Sequence, residues 1–123
     1  MLLGTDIVET SRIKQTCTRR PAFLNRVFTK EEQAHINESS ADRKYERMAG
    51  KYAAKEAVIK AFGFGIGNKT ALIEIEILPG KYGKPHATLY GNALKTFNDS
   101  GYSSIEISIS NTTQNAHAVC IVF

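Results

Sequence analysis

Three charged side chains sit where the pattern around them is apolar, and together they could handle phosphate chemistry. Between residues 41 and 62, Tyr45, Met48, Ala49, Tyr52, Ala53 and Ile59 recur at spacings of three and four, as on one helix face. From Tyr52 and Ala53 the stripe runs on to position 56, which is Glu56, and Lys60 follows four residues later on the same face. Such a pair is either a solvated Glu–Lys contact of about 0.2–0.5 kcal/mol or a carboxylate and an ammonium set into a packed surface. Asp6 is the third. It falls in the apolar run 2–8, where a charge is costly unless it is paired, hydrogen-bonded or metal-bound; the plainer reading is a turn carboxylate near a strand end. Two carboxylates suffice for Mg2+ when substrate phosphates and water complete its shell, provided the fold brings Asp6 and Glu56 together.

Other candidate motifs are weaker. Gly63-Phe64-Gly65-Ile66-Gly67 could approach phosphates closely, but it follows a helical pattern and matches neither a Walker A loop nor a dinucleotide fingerprint, so it reads first as a helix stop. Gly83-Lys84-Pro85 is turn chemistry. His35, His86 and His117 show no metal-ligand spacing, and Phe23, Phe28 and Phe62 read as core. Cys17 and Cys120 are isolated and far apart, which fits reduced thiols in a cytoplasmic protein better than a metal cluster or a disulfide scaffold.

The chain has 123 residues, 42% hydrophobic and 23% charged, which predicts one folded domain over residues 1–123 rather than a disordered chain. No apolar run reaches the ~20 residues of a membrane helix, and the N-terminus reads as neither a signal nor a transit peptide. The net charge is +4, and residues 10–30 hold six basic side chains (Arg12, Lys14, Arg19, Arg20, Arg26, Lys30) and no acid. That local field favours an acidic partner.

These residues must be positioned by a short list of elements. Residues 2–8 are β-compatible, with Gly4 and Asp6 on one face and Leu3, Thr5 and Ile7 on the other. Glu9-Thr10-Ser11 offers a helix cap, Pro21 interrupts that helix, and Thr29 caps a second one with Glu31 and Glu32 in its first turn. Residues 41–62 give the longest helix. Residues 71–78 alternate Leu72, Glu74, Glu76 against Ile73, Ile75, Ile77, as in a half-buried strand. A strand at 86–90, a short helix at 92–97 and a terminal hairpin (105–110 with 116–123) follow. The order predicts an α+β fold, a mainly antiparallel sheet packed on a long helix and shorter ones.

The words then match a family. Gly4-Thr5-Asp6-Ile7-Val8-Glu9 with Arg12-Ile13, Phe23-Leu24-Asn25-Arg26-Val27-Phe28-Thr29, and above all Ala49-Gly50-Lys51-Tyr52-Ala53-Ala54-Lys55-Glu56-Ala57-Val58-Ile59-Lys60-Ala61-Phe62-Gly63 fall in order. Gly83-Lys84-Pro85 and Ser108-Ile109-Ser110 follow. Over nearly its whole length the chain resembles the holo-[acyl-carrier-protein] synthases, the small 4′-phosphopantetheinyl transferases.

The resemblance implies that a serine of apo acyl carrier protein attacks the β-phosphorus of coenzyme A and that 3′,5′-ADP leaves. It implies Mg2+ on Asp6 and Glu56, Lys60 at the pyrophosphate, and Glu56 as the base, directly or through water. Lys51, Gly83, Lys84, Pro85, Asn111 and Thr112 would bind coenzyme A, and Arg12, Lys14, Arg19, Arg20 and Arg26 would dock the acidic carrier protein. It further implies a homotrimer with coenzyme A in clefts between subunits; the three-isoleucine strand face is compatible with that. Neither nucleic acid nor membrane is an expected partner, since no nucleic-acid motif accompanies the basic stretch. One position departs from the family: Asn111 stands where a histidine is usual, near the nucleotide end, and cannot carry a charge. Weaker phosphate binding or altered cosubstrate preference is the expectation, with a catalytically impaired, ligand-binding relative as the alternative.

Overall fold

The computed structural model describes residues 1–63 and 70–123; the glycine-rich segment beyond Gly63 lies outside the described residues. Strand β1 (Leu2–Glu9) runs directly into helix α1 (Thr10–Arg19). The cap expected from Glu9-Thr10-Ser11 is not made by a side chain. Thr10 N donates instead to Gln114 O at 2.9 Å, so the far hairpin terminates this helix end. Helix α1 stops before Pro21, and α2 (Phe23–Val27), α3 (Lys30–Asn37) and α4 (Lys44–Ala61) follow. Helix α3 opens on a full capping box: Thr29 Oγ1 accepts from Glu32 N and Glu32 Oε1 accepts from Thr29 N.

Strand β2 (Ile75–Pro79) pairs antiparallel with β3 (Pro85–Leu89), helix α5 spans Gly91–Ser100, and β4 (Ile105–Asn111) and β5 (Asn115–Val122) form the terminal hairpin. Strand β1 pairs antiparallel with β5, giving a β1–β5–β4 sheet beside the separate β2–β3 hairpin. The expected α+β class is found. The strand expected over 71–78 starts only at Ile75, because Leu72–Glu74 is a 3-10 turn. That turn aims Glu74 at the start of α5, where its Oε1 accepts from Ala93 N. Glu76, expected on a solvated face, is buried and accepts from Thr29 Oγ1 at 2.6 Å and from Tyr90 OH at 3.3 Å.

Helix α4 is the centre of the molecule, buried from Met48 to Ile59 except at half-buried Tyr52. Small residues explain how close it comes to the sheet: Ala53, Ala57 and Ala61 on the helix meet Gly4, Ala116, Ala118 and Cys120 on the strands. A Cβ added to Gly4 would lie 1.9 Å from Ala57 O, so only glycine lets β1 cross here. Ile107 is buried in this interface, and Ile105 and Ile109 pack against the core. The isoleucine face therefore packs on the core of this chain. The exposed apolar side chains of the sheet are on its other face, Leu3 and Ile7 of β1. No described helix is long and apolar enough to cross a membrane.

On its other flank α4 is held by a buried ion pair. Lys55 Nζ lies 2.8 Å from Glu32 Oε1, both side chains fully buried, and also donates to Val27 O, Leu72 O and Ile75 O. Glu32 Oε2 accepts from Ile77 N. This cluster ties α2, α3, α4 and β2 together and so fixes which face of α4 turns toward β1.

Candidate functional site

That face carries Tyr52, Glu56 and Lys60. Two residues beyond the Gly4 crossing, on the same side of β1, comes Asp6. All four line a cleft of about 760 Å³ together with Arg12, Thr16 and Arg19 of α1, Arg20 just beyond it, Phe23 and Asn115. The juxtaposition left open by sequence thus exists. Lys60 does not make the local pair with Glu56. Its Nζ crosses to Asp6 Oδ1 at 2.9 Å, with the ammonium half exposed at the cleft mouth.

Glu56 is buried, and its Oε1 has no hydrogen-bond partner. Burial pushes its carboxyl above the ordinary carboxylate range, and the nearby Asp6 charge adds to that. A hydrogen bond from Tyr52 and the charge of Lys60 act in the opposite direction. The Tyr52 hydroxyl is pushed up to about 12, first by burial and then by Glu56 and Asp6, so it stays a donor to Glu56. Among the described residues no cluster of three or more His, Cys, Asp or Glu side chains forms. The chain offers a hard cation two carboxylates, leaving the rest of its shell to other oxygens.

A second cavity of about 300 Å³ lies along the N-terminal half of α4. Lys51, Gly83, Pro85 and Asn111, all expected to bind coenzyme A, line it. So do His35, Arg43 and Arg47, which spacing did not single out. Lys51 is almost fully buried and donates to Ile77 O at 2.7 Å; burial, partly offset by Glu32, lowers its ammonium to about 8. Asn111 Nδ2 donates to Glu46 O at 3.0 Å, so one of its two donors is already used by the protein.

Four of the expected binding residues stand apart. Lys84 is not in the cavity wall; it pairs with Glu106 on β4, both side chains exposed. The Thr112 hydroxyl accepts from Gln114 N and Asn115 N and so builds the β4–β5 turn. Arg26 is exposed on α2 and does not line the cleft beside α1. Lys14 faces a neighbouring groove and lies over the Tyr45 ring, 5.7 Å from its centroid. Tyr52 was legible only as an apolar stripe residue. A tyrosine one turn before a buried carboxylate is the signal that could have marked it as a donor.

Residues 2–122 match the ACPS family, described as the 4′-phosphopantetheinyl transferase superfamily. A holo-[acyl-carrier-protein] synthase of Ruminiclostridium cellulolyticum is 42% identical over 123 residues, covering 99% of this chain and 91% of its own. The solved holo-[acyl-carrier-protein] synthase of Neisseria meningitidis superposes with a TM-score of 0.86 at 31% identity, covering 100% of this chain and 99% of its own. That of Helicobacter pylori, in complex with coenzyme A, gives a TM-score of 0.84 at 31% identity over 99% of this chain and 100% of its own. Full-length sequence kinship and a shared fold lead to one conclusion: this chain belongs to the holo-[acyl-carrier-protein] synthase family of 4′-phosphopantetheinyl transferases.

Proposed function

We propose that the protein, as one domain, transfers the phosphopantetheine arm of coenzyme A to a serine of apo acyl carrier protein in the cytoplasm. The observation that carries this reading is the convergence of Asp6, Glu56 and Lys60 on one cleft that also presents Arg12, Arg19 and Arg20. The orphaned, buried Glu56 Oε1 beside a second carboxylate fits a hard divalent cation. Asp6 and Glu56 would hold Mg2+, which when bound would offset the charge of the coenzyme A pyrophosphate.

The chain's own residues supply the rest. Lys60, held by Asp6 at the cleft mouth, places a positive charge where the departing 3′,5′-ADP phosphate gains charge. The serine Oγ forms its bond to the β-phosphorus, the bridging P–O bond breaks toward the ADP side, and Glu56 accepts the serine proton directly or through water. A carboxylate with a raised pKa and a fixed donor in Tyr52 suits that base role. The guanidinium groups of α1 give an acidic carrier protein a complementary rim, which acts mainly on encounter and register. The cavity lined by Lys51, Gly83, Pro85 and Asn111 takes the nucleotide end. The exposed Leu3 and Ile7 support a homotrimer packed through the outer sheet face.

The test is incubation with coenzyme A, Mg2+ and a panel of apo carrier proteins, followed by mass spectrometry of the carriers. A phosphopantetheine mass gain on at least one carrier is expected. No gain on any of them would end the proposal.

A further inference from the structure

The second cavity contains a titratable group that the reading above leaves unused. His35, near the end of α3, lines it beside three cations, Arg43 at the N-cap of α4 and Arg47 and Lys51 on that helix. Its Nδ1 is buried and has no partner. Its backbone carbonyl accepts from Arg47 Nη1 at 2.6 Å, which ties the end of α3 to α4 beside the cavity. Every charged group facing the ring bears on its protonation. Burial opposes a positive charge on it most, Lys51 and Arg47 add to that, and Glu38 at the end of α3 favours it. Arg43 and Glu46 complete the charged wall, while Ile77, Leu78, Pro79, Gly83 and Pro85 add no ionisable side chain.

An imidazole in such surroundings is neutral in the empty protein at pH 7. A phosphomonoester dianion entering the cavity reverses the balance. It neutralises the field of Lys51 and Arg47, and its negative charge favours the protonated ring in the cavity wall. Resting on the proposed reading of this cavity as the nucleotide end, we propose that His35 determines specificity for the 3′-phosphate of coenzyme A by taking up a proton as that phosphate binds. No bond is made or broken other than the N–H, and the proton comes from solvent. By linkage, the preference for coenzyme A over dephospho-coenzyme A then grows as pH falls.

The experiment is calorimetric titration of the full chain with coenzyme A and with dephospho-coenzyme A at pH 7.5 and 6.2, in two buffers of different ionisation heat. Wild type and H35Q are compared, with the His35 ring followed by NMR. In wild type the preference for coenzyme A should rise at least about fivefold between the two pH values. Net proton uptake should accompany coenzyme A alone, and the His35 resonance should titrate at higher pH in that complex. H35Q should keep only the part of the rise and the uptake that Lys51 and the ligand supply, yet bind dephospho-coenzyme A as wild type does. The H35Q comparison removes the ligand's own ionisation and that of Lys51. An equal rise in H35Q, or a wild-type ring unmoved by coenzyme A, overturns the His35 inference while carrier modification leaves the functional reading intact. Wild type that binds neither ligand overturns both.

Discussion

Replacing Lys55 by methionine keeps the volume of the side chain and removes its charge. In the structure Lys55 Nζ contacts four acceptors between 2.7 and 3.1 Å, and its partner Glu32 is fully buried. After Lys55→Met, Glu32 keeps only the backbone donors of Thr29 and Ile77. A buried pair broken on one side costs about 3–5 kcal/mol. At ~2.1 cal/mol/K per residue, 123 residues unfold with about 0.26 kcal/mol/K, so Tm should fall roughly 12–19 °C. The double variant Glu32→Gln/Lys55→Met removes both charges and retains a side chain able to complete the capping box. It should regain at least about 2 kcal/mol over the single variant. Urea and thermal unfolding of wild type, both singles and the double give the coupling energy directly. A Lys55→Met loss under about 1 kcal/mol, or a double variant no more stable than Lys55→Met, would refute the argument that this pair clamps α4.

Glu56→Gln should lower transfer by at least about 100-fold, and Asp6→Asn should do so as well, measured as carrier modification per unit time. The raised Glu56 carboxyl makes its ionised form costly in the folded state above that raised pKa, a cost absent below the unfolded value. Glu56→Gln should therefore be more stable than wild type at pH 8 and lose that advantage in acid; destabilisation at pH 8 would contradict the site's electrostatics. Lys51, at about 8 when folded against 10.5 in the unfolded chain, should release its proton as pH passes 8. Coenzyme A KM should then rise, while folding stability increases between pH 8 and 10.5 because the unfolded chain holds the proton longer. Lys51→Met should flatten both profiles. Gly4→Ala forces a Cβ into Ala57 O and should cost about 3 kcal/mol by thermal unfolding, displacing Asp6 and its activity with it.

Much of the fold was legible because periodicity reports faces. The three–four spacing of Tyr45, Met48, Ala49, Tyr52 and Ala53 marks α4, the alternation around Asp6 places it on the Gly4 side of β1, and Thr29 with Glu32 marks the start of α3. The same spacing identified Glu56 and Lys60, and ordered motifs supplied the family. What spacing cannot report is which distant group lies opposite a given side chain. Glu76 looked solvated because its neighbours alternate, yet Thr29 and Tyr90 close over it. Lys60 reads equally well as the partner of Glu56; the close β1–α4 crossing gives it to Asp6. Nothing in the spacing around Lys55, one residue from Glu56, reports the four acceptors from α2, α3, the 3-10 turn and β2 that converge on it. His35, Arg43 and Arg47 share a cavity with Lys51 through the packing of α3 on α4. Residue order along the chain determines local conformation and which faces are apolar, since those depend on neighbours within a few positions. The pairing of charges across elements was decided by tertiary structure alone, because it depends on how closely small residues let those elements approach.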